Sequence, residues 1–378
     1  MLPRALSLLT SWPRDRGAGS GTATFVDGFT ASLAHHGVQV EPAPVPALPL
    51  DDYREQVAAR DAVNAGWSTL PFPAGQSIVG LDWDGHRLTA EQRAGRQVIG
   101  SPRGLFADLV ATEPLLHDVL VQQAAWEKEH LLKCDWLFVP SHYARQQVQH
   151  YYGVDDAKIA VIPNGIDAHW RDQLAGAQPF AWPHPTILAV AKFYPRKQIP
   201  LLVEAFALVA ARTADIDLCI VGDGMEEALV RERVAHHGLE SRVKMPGLVT
   251  DPAMLARYYA SAICCCHPSI QETFGNVLLE ALAAGKVIVA ANAASLPEVA
   301  GEAGIYFEAG NAEALADALQ MGVEALLGDP GLAAEMALRA RMRAAQFTWE
   351  ATARRFLNHW SEVAQDGVLN PATRAPWL

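Results

Sequence analysis

Short runs of consecutive apolar residues alternate along this chain with longer segments whose apolar positions recur every three to four residues. The alternation is clearest in the second half. PTILAVAKF (185–193), IDLCIVGDG (216–224), VKMPGLV (243–249), ICCCHPS (263–269) and VIVAAN (287–292) read as strands. Between them, PLLVEAFALVAART (200–213), MEEALVRERVAHHG (225–238), DPAMLARYYASA (251–262) and NVLLEALAAGK (276–286) have helical spacing. Asp251 suits a helix cap with Pro252 just inside it, and Gly238 and Gly285 suit helix stops. Strands that are apolar throughout, alternating with helices, imply a parallel sheet covered on both faces.

The first half repeats the pattern more loosely. LSLLTSW (6–12) reads as a buried strand, then a glycine-rich loop leads into the helix 22–37. SIVGLDWDG (77–85) and QVIGSPRG (97–104) look like strands running into loops. A long amphipathic helix is expected over 112–134, followed by strands in DWLFVPS (135–141) and KIAVIPNGID (158–167). Residues 41–75, rich in Pro and Ala, predict no element. Residues 171–184 lose periodicity and contain three prolines when Pro185 just beyond is included, so they read as a linker. The expected organisation is a first domain over 1–170, a second over 185–346, and a closing amphipathic helix and tail over 347–378.

Composition narrows the function. At 378 residues, half of them hydrophobic, the chain suits two globular domains. The net charge is -12, and residues 1–178 alone hold 14 Lys and Arg against 20 Asp and Glu. An acidic chain without a basic half makes nucleic acid a poor partner. No apolar stretch is long enough for a membrane span, and the N-terminus does not read as a signal peptide. A cytoplasmic location is expected, with a peripheral contact at the inner membrane face left open. Five cysteines, three of them consecutive at 264–266, fit neither a disulfide framework nor a metal-binding spacing.

The most specific stretch is ETFGNVLLEALAAGKVIVA (272–290), a strand-end loop opening a helix. A helix N-terminus offers free N–H groups and the positive end of a dipole, which suit a diphosphate. Glu272 stands ahead of the helix and Glu280 within it, and a carboxylate can hold vicinal hydroxyls of a sugar or ribose. Lys192 and Lys197, with Arg196 between them, flank a strand-to-helix loop and could bracket two phosphates. His267, at a strand end before Pro268, reads as a structural histidine. Gly19 and Gly21 lie in a loop suited to phosphate, but Thr24 breaks the dinucleotide-binding fingerprint.

These residues resemble family 4 of the retaining glycosyltransferases. The two glutamates with Phe274 and Gly275 after the first and LEALAAG around the second carry the likeness, together with the lysine loop, IDLCIVGDG and CCCHPSIQE. The resemblance implies the GT-B fold, two facing Rossmann-like α/β domains with parallel sheets and a C-terminal helix crossing back to the first. It implies transfer of a sugar from a UDP- or GDP-linked donor to an unidentified acceptor (a glycan, a lipid-linked sugar or a small molecule), with no cofactor and no metal. Lys192 and Lys197 would hold the diphosphate, Glu272 the transferred sugar and Glu280 the ribose. Phe274, Gly275 and Asn276 would form the loop and helix start beneath the phosphates. Two positions depart from the family: Lys192 stands where Arg is usual and Gln198 where Gly is usual. On the acceptor side, Asp82 and Asp84 in LDWDG and Arg103 in GSPRG are candidates, and GSPRG lacks the histidine many members carry. An epimerase or a non-catalytic nucleotide-sugar binder would share these features.

Overall fold

In this computed structural model the described residues are 5–12, 21–48 and 52–370. The chain divides into two compact units, Met1–Gly165 with Trp349–Leu378, and Ile166–Thr348. Each contains a six-stranded sheet, parallel throughout.

The first sheet comprises β1 (Ala5–Leu9), β2 (Gln39–Pro42), β3 (Ser77–Leu81), β4 (Val98–Ser101), β5 (Trp136–Val139) and β6 (Ile159–Val161), in the order β2-β1-β3-β4-β5-β6. The second comprises β7 (Thr186–Val190), β8 (Asp217–Val221), β9 (Val243–Gly247), β10 (Cys264–His267), β11 (Val287–Ala291) and β12 (Gly304–Phe307), in the order β12-β11-β10-β7-β8-β9. In each sheet the order reverses at one place, between β1 and β3 and between β7 and β10. The loops leaving the carboxyl ends of the strands part there and open a crevice, where ligands of such sheets bind.

The central strands are buried from end to end, as their continuous apolar runs require. Cys264, Cys265 and Cys266 fill β10 as small buried hydrophobes, unoxidised. The helix Pro252–Ser261 starts where expected, with the Asp251 carboxylate accepting the Ala253 N–H at 3.1 Å.

The C-terminal helix Trp349–Asp366 belongs to the first unit. It places Trp349, Phe356 and Trp360 in one core with Phe25, Phe29, Trp136 and Phe138. Gly28 permits the approach, because a Cβ there would fall 2.1 Å from the Trp349 indole. Trp360 Nε1 donates to Ser77 Oγ at 3.0 Å and Ser32 Oγ to the Trp349 carbonyl at 2.8 Å.

Three differences from the sequence expectations have physical causes. A helix, Tyr53–Trp67, lies in the stretch that predicted nothing; its buried face carries Arg60 and Asn64 among Val57, Val63 and Trp67, so the apolar stripe is interrupted. A second unforeseen helix, His142–Tyr152, is started by Ser141 and stopped by Gly153 at φ +69. The segment read as a linker begins inside a helix, Ala168–Gly176, that belongs to the second unit. Its one buried residue, Trp170, packs edge-on against Tyr259 with ring centroids 5.6 Å apart, too little to show as periodicity.

Candidate functional site

The second unit gathers most of the candidate residues around the crevice between β7 and β10. The loop after β7 carries Lys192, Arg196 and Lys197, and the loop after β10 carries Glu272 to Gly275. The two are joined by backbone: the Arg196 carbonyl accepts Ile270 N–H at 2.9 Å and Ser269 Oγ at 3.1 Å. The loop after β8 closes in from the other side. Phe193 N–H donates to the Asp223 carbonyl at 2.6 Å, and Gly222 and Gly224 leave room for it. A Cβ on Gly222 would meet the Ala191 carbonyl oxygen at 1.8 Å. That is the physical content of the Gly-Asp-Gly that ends β8.

Within this frame Lys197 Nζ donates to Glu272 Oε1, and His267 Nε2 lies 2.8 Å from the same oxygen. The three side chains are only 12, 15 and 5 % exposed, so this is not a solvent-screened surface pair. Burial by itself would raise the Glu272 carboxyl. Lys197, His267 and Arg196 outweigh it and hold the group well below the usual carboxylate range. Glu272 Oε2 takes no hydrogen bond among the described residues.

Lys192 Nζ pairs with Asp223 Oδ1 at 2.7 Å. Gln198 adopts φ +55, the left-handed conformation that glycine takes without strain, which explains why glycine is usual here. Its amide holds the turn by donating to the Pro195 carbonyl at 2.8 Å.

The helix Asn276–Ala283 starts from Gly275 at φ +86, a residue with no side chain of its own to cap it. Phe274 is buried beneath, edge-on to Phe347 at 5.7 Å. Glu280, one turn into this helix, accepts the Tyr259 hydroxyl on Oε2 at 2.9 Å. Burial pushes its carboxyl up to about 7, against the Tyr259 hydrogen bond. Its Oε1 has no donor among the described residues.

The first unit treats its candidates differently. Asp82, at φ +56, accepts Trp12 Nε1 at 2.6 Å and the backbone N–H groups of Arg103 and Gly104 at 2.5 and 2.8 Å. Burial nonetheless raises its carboxyl above the usual range. Asp84 accepts Ser11 N–H and Oγ, both at 2.5 Å, and Asn64 Nδ2 at 2.8 Å. The two carboxylates of the D-x-D thus hold separate turns at the β1–β3 crevice and do not converge. Arg103 is buried over the Phe25 ring at 3.9 Å, donating to Ser101 Oγ and Asn164 Oδ1. Burial lowers its guanidinium to about 9, with Asp82 opposing. Gly19 lies outside the described residues; Gly21 opens the helix Gly21–His35.

Three contacting residues have no binding role in the sequence analysis. His267 was read as structural, although its place at a strand end five residues before Glu272 was visible. Asp223 lay in plain sight in the Gly-Asp-Gly. Tyr259 could not have been found, because it reaches Glu280 from a different helix.

Comparison with known proteins bears on family and fold. Residues 184–324 match the family model described as glycosyl transferases group 1, and residues 81–170 match glycosyltransferase family 4. Among curated proteins, the phosphatidyl-myo-inositol mannosyltransferase of Mycobacterium leprae is 31% identical over 233 residues, covering 60% of this chain and 59% of that protein. The D-inositol 3-phosphate glycosyltransferase of Nocardia farcinica is 30% identical over 257 residues, covering 64% and 55%. The match therefore spans less than two thirds of these relatives' length. Among solved structures, a sucrose-phosphate synthase from Thermosynechococcus elongatus superposes with a TM-score of 0.74 at 23% identity, covering 96% of this chain and all of that one. Anabaena Alr3699/HepE in complex with UDP and glucose gives 0.67 at 18% identity, covering 95% and 99%. At these identities the structural likenesses speak for the fold alone.

Proposed function

Because the chain belongs to the family 4 glycosyltransferases and has the GT-B type of fold, we propose that it moves a sugar from a nucleoside-diphosphate sugar to a hydroxyl-bearing acceptor. The observation that carries this reading is the cluster of Lys197, Glu272 and His267 at the β7–β10 crevice, beside the N-terminus of the helix Asn276–Ala283. UDP- and GDP-linked sugars are the proposed donors and retention the proposed stereochemistry. The names of the curated relatives make inositol phosphates and phosphoinositides the first acceptors to try.

The chemistry follows from charge. As the glycosidic bond to the diphosphate breaks, negative charge grows on the phosphates and positive charge at the anomeric carbon. Lys192, Lys197 and the amides at Asn276 would stabilise the leaving diphosphate. Glu272 Oε2 would take sugar hydroxyls and fix the ring for attack. Glu280 Oε1 would take ribose hydroxyls. Incubation with a panel of nucleotide sugars and acceptors tests the reading. A glycosylated acceptor is expected; an epimerised donor, or binding without turnover, would replace it with an epimerase or a binding protein.

Transfer is expected to survive excess EDTA. The positive charge a divalent ion would bring to the phosphates is present in the two lysines, and Asp82 and Asp84 are occupied by internal donors. A rate that collapses with EDTA and returns only with Mg²⁺ or Mn²⁺ refutes this.

Glu280 makes nucleotide binding pH-dependent. With its carboxyl near 7, it is part-protonated in the free protein at neutral pH. Hydroxyls that donate to it favour the ionised form, so binding releases protons and tightens as pH rises from 6 to 8. Calorimetry of UDP or GDP binding in buffers of different ionisation enthalpy counts those protons. The same release from a Glu280→Gln protein would assign it to the nucleotide instead.

A further inference from the structure

We propose that His267 is a positioning residue for Glu272, fixing which carboxylate oxygen meets the sugar; this rests on the glycosyltransferase reading above. Glu272 has two oxygens, and the protein uses one. Lys197 Nζ and His267 Nε2 both converge on Oε1, while Oε2 receives no hydrogen bond among the described residues. A carboxylate held by the lysine alone could rotate about its last torsion and exchange its oxygens, because sp³–sp² torsions are broad. A second donor from a different direction removes that freedom. His267 supplies it from the rigid end of β10, where its ring is 5% exposed.

The protonation state suits the role. Burial lowers the imidazole's pKa, with Lys197 and Arg196 adding to it and Glu272 opposing. A neutral ring with its proton on Nε2 donates to the carboxylate without adding charge. Lys197, Glu272 and His267 then sum to zero, so the histidine adds no charge of its own beside the diphosphate. A phenylalanine or leucine would fill the same space but let the carboxylate turn.

The side chains that could replace His267 differ in where they place a donor. The glutamine amide nitrogen falls near the position of imidazole Nε2, whereas the asparagine nitrogen falls near Nδ1, one bond short. His267→Gln is therefore expected to keep kcat within about threefold of the original, and His267→Asn and His267→Leu to lower it about 10-fold or more, the order expected for one hydrogen bond to a charged group. All three are expected to bind UDP or GDP, whichever raises the wild-type melting temperature, within about twofold of wild type, because the hold acts on the sugar and not on the diphosphate. The increment in affinity that the sugar adds to the free diphosphate, measured by calorimetry, should fall in the Asn and Leu variants and persist in the Gln variant. Equal losses in all three variants, or losses that follow melting temperature and diphosphate affinity, would make His267 structural and overturn the proposal. So would a His267→Leu protein as active as wild type while Glu272→Ala is not. A wild-type protein that binds no nucleotide sugar fails earlier, at the reading of the site itself.

Discussion

Glu272→Ala is expected to reduce turnover about 100-fold or more while leaving the free nucleoside diphosphate bound as tightly as before, or more tightly. The structure gives the second half of that statement its direction. Lys197 is paired with Glu272 in the absence of ligand, so a phosphate must compete with the carboxylate for the ammonium group. Removing the carboxylate releases the lysine to the phosphates and removes the contact to the sugar. Lys197→Ala should act on the other side of the donor, lowering kcat/KM for the nucleotide sugar about 10- to 100-fold, the equivalent of roughly 1.5–3 kcal/mol for a charge-assisted hydrogen bond. Its effect should appear in diphosphate affinity as well as in rate. Steady-state kinetics with calorimetry on both variants separates the two roles. Parallel losses of diphosphate affinity in both would mean that Glu272 does not face the sugar.

Asp84→Ala is expected to destabilise the first unit by about 3–5 kcal/mol, the cost of leaving a buried charge without its partner. The Arg60 guanidinium is fully buried between two indoles, 3.8 Å from the Trp12 ring centroid and 4.5 Å from that of Trp83. Its Nη2 lies 3.7 Å from Asp84 Oδ2, and Nε donates to Ser11 Oγ at 2.8 Å, which itself donates to Asp84. Alanine would take the carboxylate from the guanidinium and from the Ser11 N–H and hydroxyl together, leaving Asn64 Nδ2 with the Arg60 carbonyl alone. Denaturant unfolding should show one transition shifted far more than the other, since the second unit does not contain the network. A loss under about 1 kcal/mol would mean that water or the neighbouring rings already satisfy Arg60.

What the sequence showed and what it hid follow from one distinction. Elements stabilised by continuous apolar burial were legible, so β7, β8, β10 and β11 and the helices between them stand where their patterns put them. The loop from Glu272 to Asn276 was legible because its residues are adjacent in the chain. Elements whose buried face is polar were not: Arg60 and Asn64 interrupt the stripe of the helix Tyr53–Trp67. The role of Asp84 was hidden for the same reason, since its partners Ser11, Arg60 and Asn64 lie 20 or more positions away. A D-x-D in a loop looks identical whether it faces a ligand or ties down a turn, and only the partners decide. The pairing of Tyr259 with Glu280 spans two helices and leaves no local trace.

The C-terminal helix gives the chain an order of assembly. The second unit is continuous from Ile166 to Thr348, so all its contacts are available once that stretch has left the ribosome. The first unit is not: Trp349, Phe356 and Trp360, which complete the core around Phe25, Phe29, Trp136 and Phe138, are made only after the whole of the second unit. The first unit therefore cannot close until the second has been synthesised, and it holds an aromatic face open for that interval. Such a face is adhesive during that interval. A chain cut short before residue 349 would carry a complete second unit beside a first that stays unsealed, and quality control would meet it there.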